Sequence, residues 1–131
     1  MKTPKFIERA NLRLKLEAVH RANDRRFAVL SSQVAEATPE KTGAPVIFFD
    51  VSTRLTGTSL NAAFAALSAW SLELKGVRVI HFVCQQGLAP CVFGTKRNAM
   101  HHHPPCRACM RQSEALFGQS EVVSFGFDAE A

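Results

Sequence analysis

The chain has no tyrosine and a single tryptophan, and its ten phenylalanines stand mostly inside apolar runs. That is how a buried core uses aromatic residues. It is not the exposed aromatic interleaving of a surface that stacks single-stranded nucleic acid. No stretch approaches the roughly 20 consecutive apolar residues of a membrane-spanning helix. Charge interrupts the first twenty residues, MKTPKFIERANLRLKLEAVH, every few positions, so they hold no signal-peptide core. A cytoplasmic location is therefore the default expectation. Neither a P-loop nor a G-x-G-x-x-G fingerprint is present, nor any internal repeat or low-complexity tract.

What is present fits one ordinary domain of 131 residues, with 47% hydrophobic residues to supply a core. Lys and Arg number 16 against 11 Asp and Glu, a formal net charge of +5. Such a balance permits an acidic partner, whether a nucleotide, a phosphorylated substrate, nucleic acid or an anionic membrane face, without choosing among them.

Residues 1–44 read as an amphipathic helical arm and linker, and residues 45–131 as a Rossmann-like α/β domain. Phe6, Ile7, Ala10, Leu14 and Val19 recur at helical spacing among charged residues. This predicts a first helix from Pro4 to about Ala22, ended by Asn23 and Asp24, and a second over about Asp24–Ala37 capped by Asp24. The basic arm could touch an acidic surface, but charge on an amphipathic helix needs no partner. TPEKTGA, residues 38–44, is a turn-rich linker. Pro45–Val51, PVIFFDV, reads as a strand buried on both faces, as in a parallel sheet. A helix over about Ser59–Lys75 follows, apolar nearly all round and so expected to be well buried, with Gly76 as its stop. Val77–Val83 is a second strand, Cys106–Phe117 a third helical stretch ended by Gly118, and Glu121–Phe127 a third strand. The expected fold is three-layer α/β with a small parallel sheet and right-handed crossovers.

Every cysteine falls between residues 84 and 109: Cys84, Cys91, Cys106 and Cys109, spaced C-x6-C and then C-x2-C. The C-x2-C pair puts two sulfurs on one turn of backbone, entered through the stiff Pro104 and Pro105. Gly87 and Pro90 supply a bend between the other two. Four clustered thiols in a chain without secretory features point to a structural metal site. Zinc ranks ahead of an iron–sulfur cluster, because no ferredoxin-like run of close cysteines occurs. Disulfides and reduced, partly buried thiols remain as alternatives. His101, His102 and His103 lie in the same loop and could offer a ligand in place of one Cys, but such a run beside Pro104 and Pro105 is more often solvated.

The loop after the first strand carries Ser52, Thr53, Arg54, Gly57, Thr58 and Ser59, with Asn61 in the first helical turn. Ligands of open α/β sheets bind beyond the carboxyl ends of the strands, and helix N-termini favour anions. Ser52, Arg54, Gly57, Thr58, Ser59 and Asn61 are thus the candidate substrate-binding residues. Helix capping by Thr58 or Ser59 with a turn at Gly57 explains the same residues without a ligand. His81, inside the apolar run VRVIHFV, reads as a core histidine.

The stretch from PVIFFDVSTRLTGTSLN through VRVIHFVCQQGLAPCVFGT to PPCRACMRQSEALF resembles the N-terminal, acceptor-side part of bacterial surface or capsular polysaccharide glycosyltransferases with a GT-B-like two-domain plan. The resemblance covers about residues 45–120, and the cysteine pattern is its most specific part. It implies a sugar or polysaccharide acceptor, and a C-terminal donor-binding domain that this chain does not include. No catalytic residue transfers, because the donor-binding motifs have no positions here.

Three functions follow. The chain is the acceptor-side domain or N-terminal fragment of a glycosyltransferase, a non-catalytic metal-stabilised binding module, or a zinc-containing nucleic-acid-binding protein. The last is favoured by charge but not by arrangement, since no zinc finger or ribbon surrounds the C-x2-C pair.

Overall fold

The computed structural model describes residues 5–51, 60–88, 91 and 104–126. Its elements run α1 (Lys5–Ala37), β1 (Thr42–Asp50), α2 (Leu60–Glu73), β2 (Val77–Cys84), α3 (Cys106–Phe117) and β3 (Glu121–Phe125). The three strands form one sheet in the order β1-β2-β3, with both pairings parallel. This is the Rossmann-like α/β class expected from the alternation of apolar strands and helices.

Strand order decides where the helices go. Parallel strands joined through helices cross over right-handedly, and both crossovers here step in the same direction. That places α2 and α3 on one face of the sheet. On this face Val79, His81 and Val83 are buried, and the core joins Ala66 and Trp70 of α2, Val83 of β2, and Leu116 and Phe117 of α3. Burying Leu116 and Phe117 contributes on the order of 2 kcal/mol each. α1 forms the outer layer against α3 and α2, and its Phe27 and Val34 pack on the core.

Among the described residues, no helix covers the opposite sheet face. Ile47 and Phe49 are 65% and 64% exposed there. The rings of Phe49, Phe82 and Phe125 stack on one another across the three strands, with centroids 5.2–5.6 Å apart. β1 was expected to be buried on both faces, yet only Asp50 is buried and Phe48 half-buried, because both described crossovers put their helices on the same side of the sheet.

α1 is one helix of 33 residues, not two. Asn23 and Asp24 do not end it. The Asp24 carboxylate is engaged by the Arg111 side chain of α3 at 2.6 Å, a tertiary partner that replaces any capping role. The helix contains neither Gly nor Pro, carries an i,i+4 Glu17–Arg21 pair at 3.0 Å, and ends where Thr38 donates its hydroxyl to the Val34 carbonyl ahead of Pro39.

β1 begins earlier than the apolar run suggests. Its register slips between Thr42 and Val46, where Gly43 adopts φ +82° and Pro45 is tolerated on an edge strand. At the same end, the buried Glu73 of α2 receives Lys41 Nζ at 3.0 Å and the Ser120 hydroxyl at 3.2 Å, tying three chain segments together. Arg78 and Glu121 form a two-pronged ion pair, at 2.8 and 2.9 Å, beside the start of β3.

Candidate functional site

In a β-α-β unit the helix runs antiparallel to its strands, so its N-terminus lies beside their carboxyl ends. β2 therefore delivers Cys84, and α3 delivers Cys106 and Cys109, to one edge of the sheet. Cys91 belongs to the connection between them. All four thiols are half-buried and no disulfide joins them.

Their proximity shows in the ionisation of Cys106. Burial raises its thiol above the ordinary range, and charge on Cys91, Cys84 and Cys109 raises it further. A backbone hydrogen bond acts in the opposite direction. Cys106 thus has the other three sulfurs within electrostatic reach. Among the described residues, no group of three or more His, Cys, Asp and Glu side chains that could hold a metal ion is already assembled. The donor set itself, four soft thiols, suits zinc or an iron–sulfur cluster.

The surrounding backbone is closely fitted. Gln85 donates its N–H to the Phe125 carbonyl at 2.7 Å as β2 ends. Gln86 then adopts φ +63°, a left-handed conformation that a residue with Cβ seldom takes outside functional or tightly determined loops. Gly87 follows so close to Phe125 that a Cβ there would lie 2.7 Å from the ring and 3.0 Å from its carbonyl oxygen. At the other end, α3 starts at Pro105 without a side-chain cap and without an acidic residue in its first turn. Backbone N–H groups of Ala108 and Cys109 turn to the Pro105 carbonyl, each at 3.1 Å.

Of the expected substrate-binding residues, Ser52, Arg54, Gly57, Thr58 and Ser59 lie outside the described residues, as do His101, His102 and His103. Asn61 is exposed on the first turn of α2.

One buried pair escaped the sequence reading. His81 Nδ1 donates to the Asp50 carboxylate at 2.8 Å, joining β2 to the end of β1. Asp50 marked the end of an apolar run, and nothing local linked it to a histidine 31 positions on. No surface of His81 reaches solvent, and the Phe117 ring stacks on it with centroids 3.8 Å apart. Its Nε2 has no hydrogen-bond partner among the described residues. An imidazole enclosed in this way joins β2 to the end of β1 from within the core. A second missed network joins α1 to α3. Arg111 reaches Asp24 and, at 3.2 Å, Glu17, beside an open groove of about 520 Å³ lined by Arg21, Asp24, Arg25, Ala28, Arg111 and Glu114. Glu17 is held below the usual carboxylate range, first by its hydrogen bond from Arg21.

Among the described residues, no helix is long and apolar enough to cross a membrane. Comparison with known protein families, curated proteins and solved structures finds no match for the chain.

Proposed function

We propose that this chain is a metal-stapled Rossmann-like binding domain serving as the acceptor-side part of a sugar-transferring enzyme. The observation that supports the reading is the placement of Cys84 at the end of β2 and of Cys106 and Cys109 at the start of α3, on the carboxyl edge of a parallel sheet, where α/β domains bind their ligands. The glycosyltransferase assignment itself comes from the resemblance of residues 45–120.

In this reading the four cysteines hold one zinc ion, with an iron–sulfur cluster as the alternative. Four thiolates leave no open position on the ion, so its contribution is to fold the loop and not to activate water. The ion would close the connection between β2 and α3, offsetting the conformational entropy of ordering it. Arg54 and Thr58, in the stretch after β1, and Asn61 on the first turn of α2 would contact the acceptor saccharide.

The test has two arms. Purified protein should carry about one equivalent of metal per chain, and Cys106→Ser should release it. Immobilised chain should retain surface polysaccharide fragments and ignore generic DNA. No metal in protein kept reduced throughout purification removes the staple. Saccharide binding without transfer by the complete reading frame turns the assignment to a non-catalytic binding module. Salt-sensitive DNA retention turns it to the nucleic-acid reading.

A further inference from the structure

The first turns of α1 lean on nothing. From Glu17 onward the helix is held by Arg111 of α3, and its Phe27 and Val34 pack on the core. Residues 5–16 are exposed at every position. This free stretch is about 18 Å long. Water is a poor setting for some of its side chains, since Phe6 is 71% exposed and Leu14 69%. At about 3.6 residues per turn, Phe6, Ala10 and Leu14 fall on one line with Ile7 beside them, an apolar stripe about 100° wide. Arg13 and Asn11 border the stripe. Lys5, Glu8, Arg9 and Lys15 fill the far side, with Leu12 and Leu16 among them.

Charge selects what the stripe meets. Lys5, Arg9, Arg13 and Lys15 stand against a single acid, Glu8. Among the described residues none of these four forms an ion pair, whereas Arg21, Arg78 and Arg111 each do. Unpaired cations beside an apolar stripe call for a partner that is anionic and apolar in one place. A nucleic-acid backbone answers the cations and leaves Phe6, Ile7 and Leu14 in water. A protein groove takes a helix by large anchors one turn apart, and here the middle anchor position is the small Ala10. Fluid lipid closes over such a gap. At an anionic lipid surface the stripe enters the boundary between headgroups and acyl chains, and the long Lys and Arg stems return their charges to the headgroup phosphates.

We infer that residues 5–16 form an arm that lies on anionic lipid, burying Phe6, Ile7, Ala10 and Leu14 and holding headgroups with Arg9, Arg13 and the neighbouring lysines. The stretch is too short and too charged to span a bilayer, so it rests along the surface. Because α1 is one continuous helix, docking its first turns keeps the α/β body at the same surface. The inference rests on neither the metal nor the saccharide reading.

Co-sedimentation of the full chain with vesicles tests this. Phosphatidylcholine vesicles containing about 30% phosphatidylserine should bind the chain at least about tenfold more tightly than phosphatidylcholine alone, and about 0.5 M salt should remove most of that difference. Leu14→Gln should weaken binding about fivefold or more, while Leu12→Gln, off the stripe, should change it by less than about twofold. The double variant Arg9→Gln with Arg13→Gln should weaken binding to the anionic vesicles about tenfold. All these positions are exposed, so circular dichroism should match that of the parent chain, and Phe6→Gln replaces Leu14→Gln should the latter unfold. No binding to the anionic vesicles overturns the inference. So do equal losses from Leu12→Gln and Leu14→Gln, or binding indifferent to both salt and the arginine pair. Tighter retention on duplex DNA than on the vesicles, abolished by the arginine pair, overturns it in favour of nucleic acid.

Discussion

A single enclosed hydrogen bond, between His81 and Asp50, shows how much depends on a pair at the scale of residues. Both side chains are almost entirely out of water, and the Asp50 carboxylate can only accept. Removing the imidazole alone leaves a buried acceptor with its desolvation unanswered. His81→Phe should therefore cost about 1–3 kcal/mol in urea unfolding. The double variant His81→Phe with Asp50→Leu should recover part of that loss, because no orphaned carboxylate remains. Losses that simply add would show that the pair is not coupled. The same reasoning applies in milder form to Arg111 and Asp24, where the guanidinium is partly exposed and water can replace it.

Among the elements, the end of β2 is the most tightly determined piece. Cys84, the Gln85 hydrogen bond to Phe125, the left-handed Gln86 and the close approach of Gly87 follow one another in four residues. A methyl group at position 87 meets both the Phe125 ring and its backbone oxygen, so ring and loop must both move. Gly87→Ala should cost about 1–3 kcal/mol of stability by overpacking, read from the thermal or denaturant midpoint. Unchanged stability would mean that the loop has room the structure does not show. α1 obeys a different logic. Its length follows from a run without Gly or Pro, while its continuity through Asn23 and Asp24 follows from an arginine 87 residues further on.

Taken whole, the molecule is one-sided. Two crossovers in one direction stack α2 and α3, then α1, over one face of the sheet and leave the phenylalanine stack on the other. α1, at about 50 Å, is longer than the body it lies on. Residues 5–16 are exposed at every position. Deleting the chain through Leu16 removes no buried side chain among the described residues and keeps Glu17 for Arg111. The shortened protein should unfold within about 0.5 kcal/mol of the full chain, by circular dichroism against temperature or urea. A larger loss would show that the first turns of α1 pack where the structure leaves them bare.

Local composition was enough to set the α/β class, the approximate span of each strand, and the α3 boundaries at Cys106 and Phe117. Each of these depends on neighbours within a few residues: runs of β-branched and aromatic side chains, helix-forming stretches, a glycine at Gly76 that takes φ +76°. Tertiary structure alone decided that α1 is continuous, that Asp50 meets His81, that Arg111 binds Asp24, and that the apolar strand PVIFFDV and the apolar helix α2 are each covered on one side. Those outcomes depend on strand order and crossover direction, which bring together residues 31 and 87 positions apart. No window of sequence contains both members of such a pair, so no local pattern can announce it.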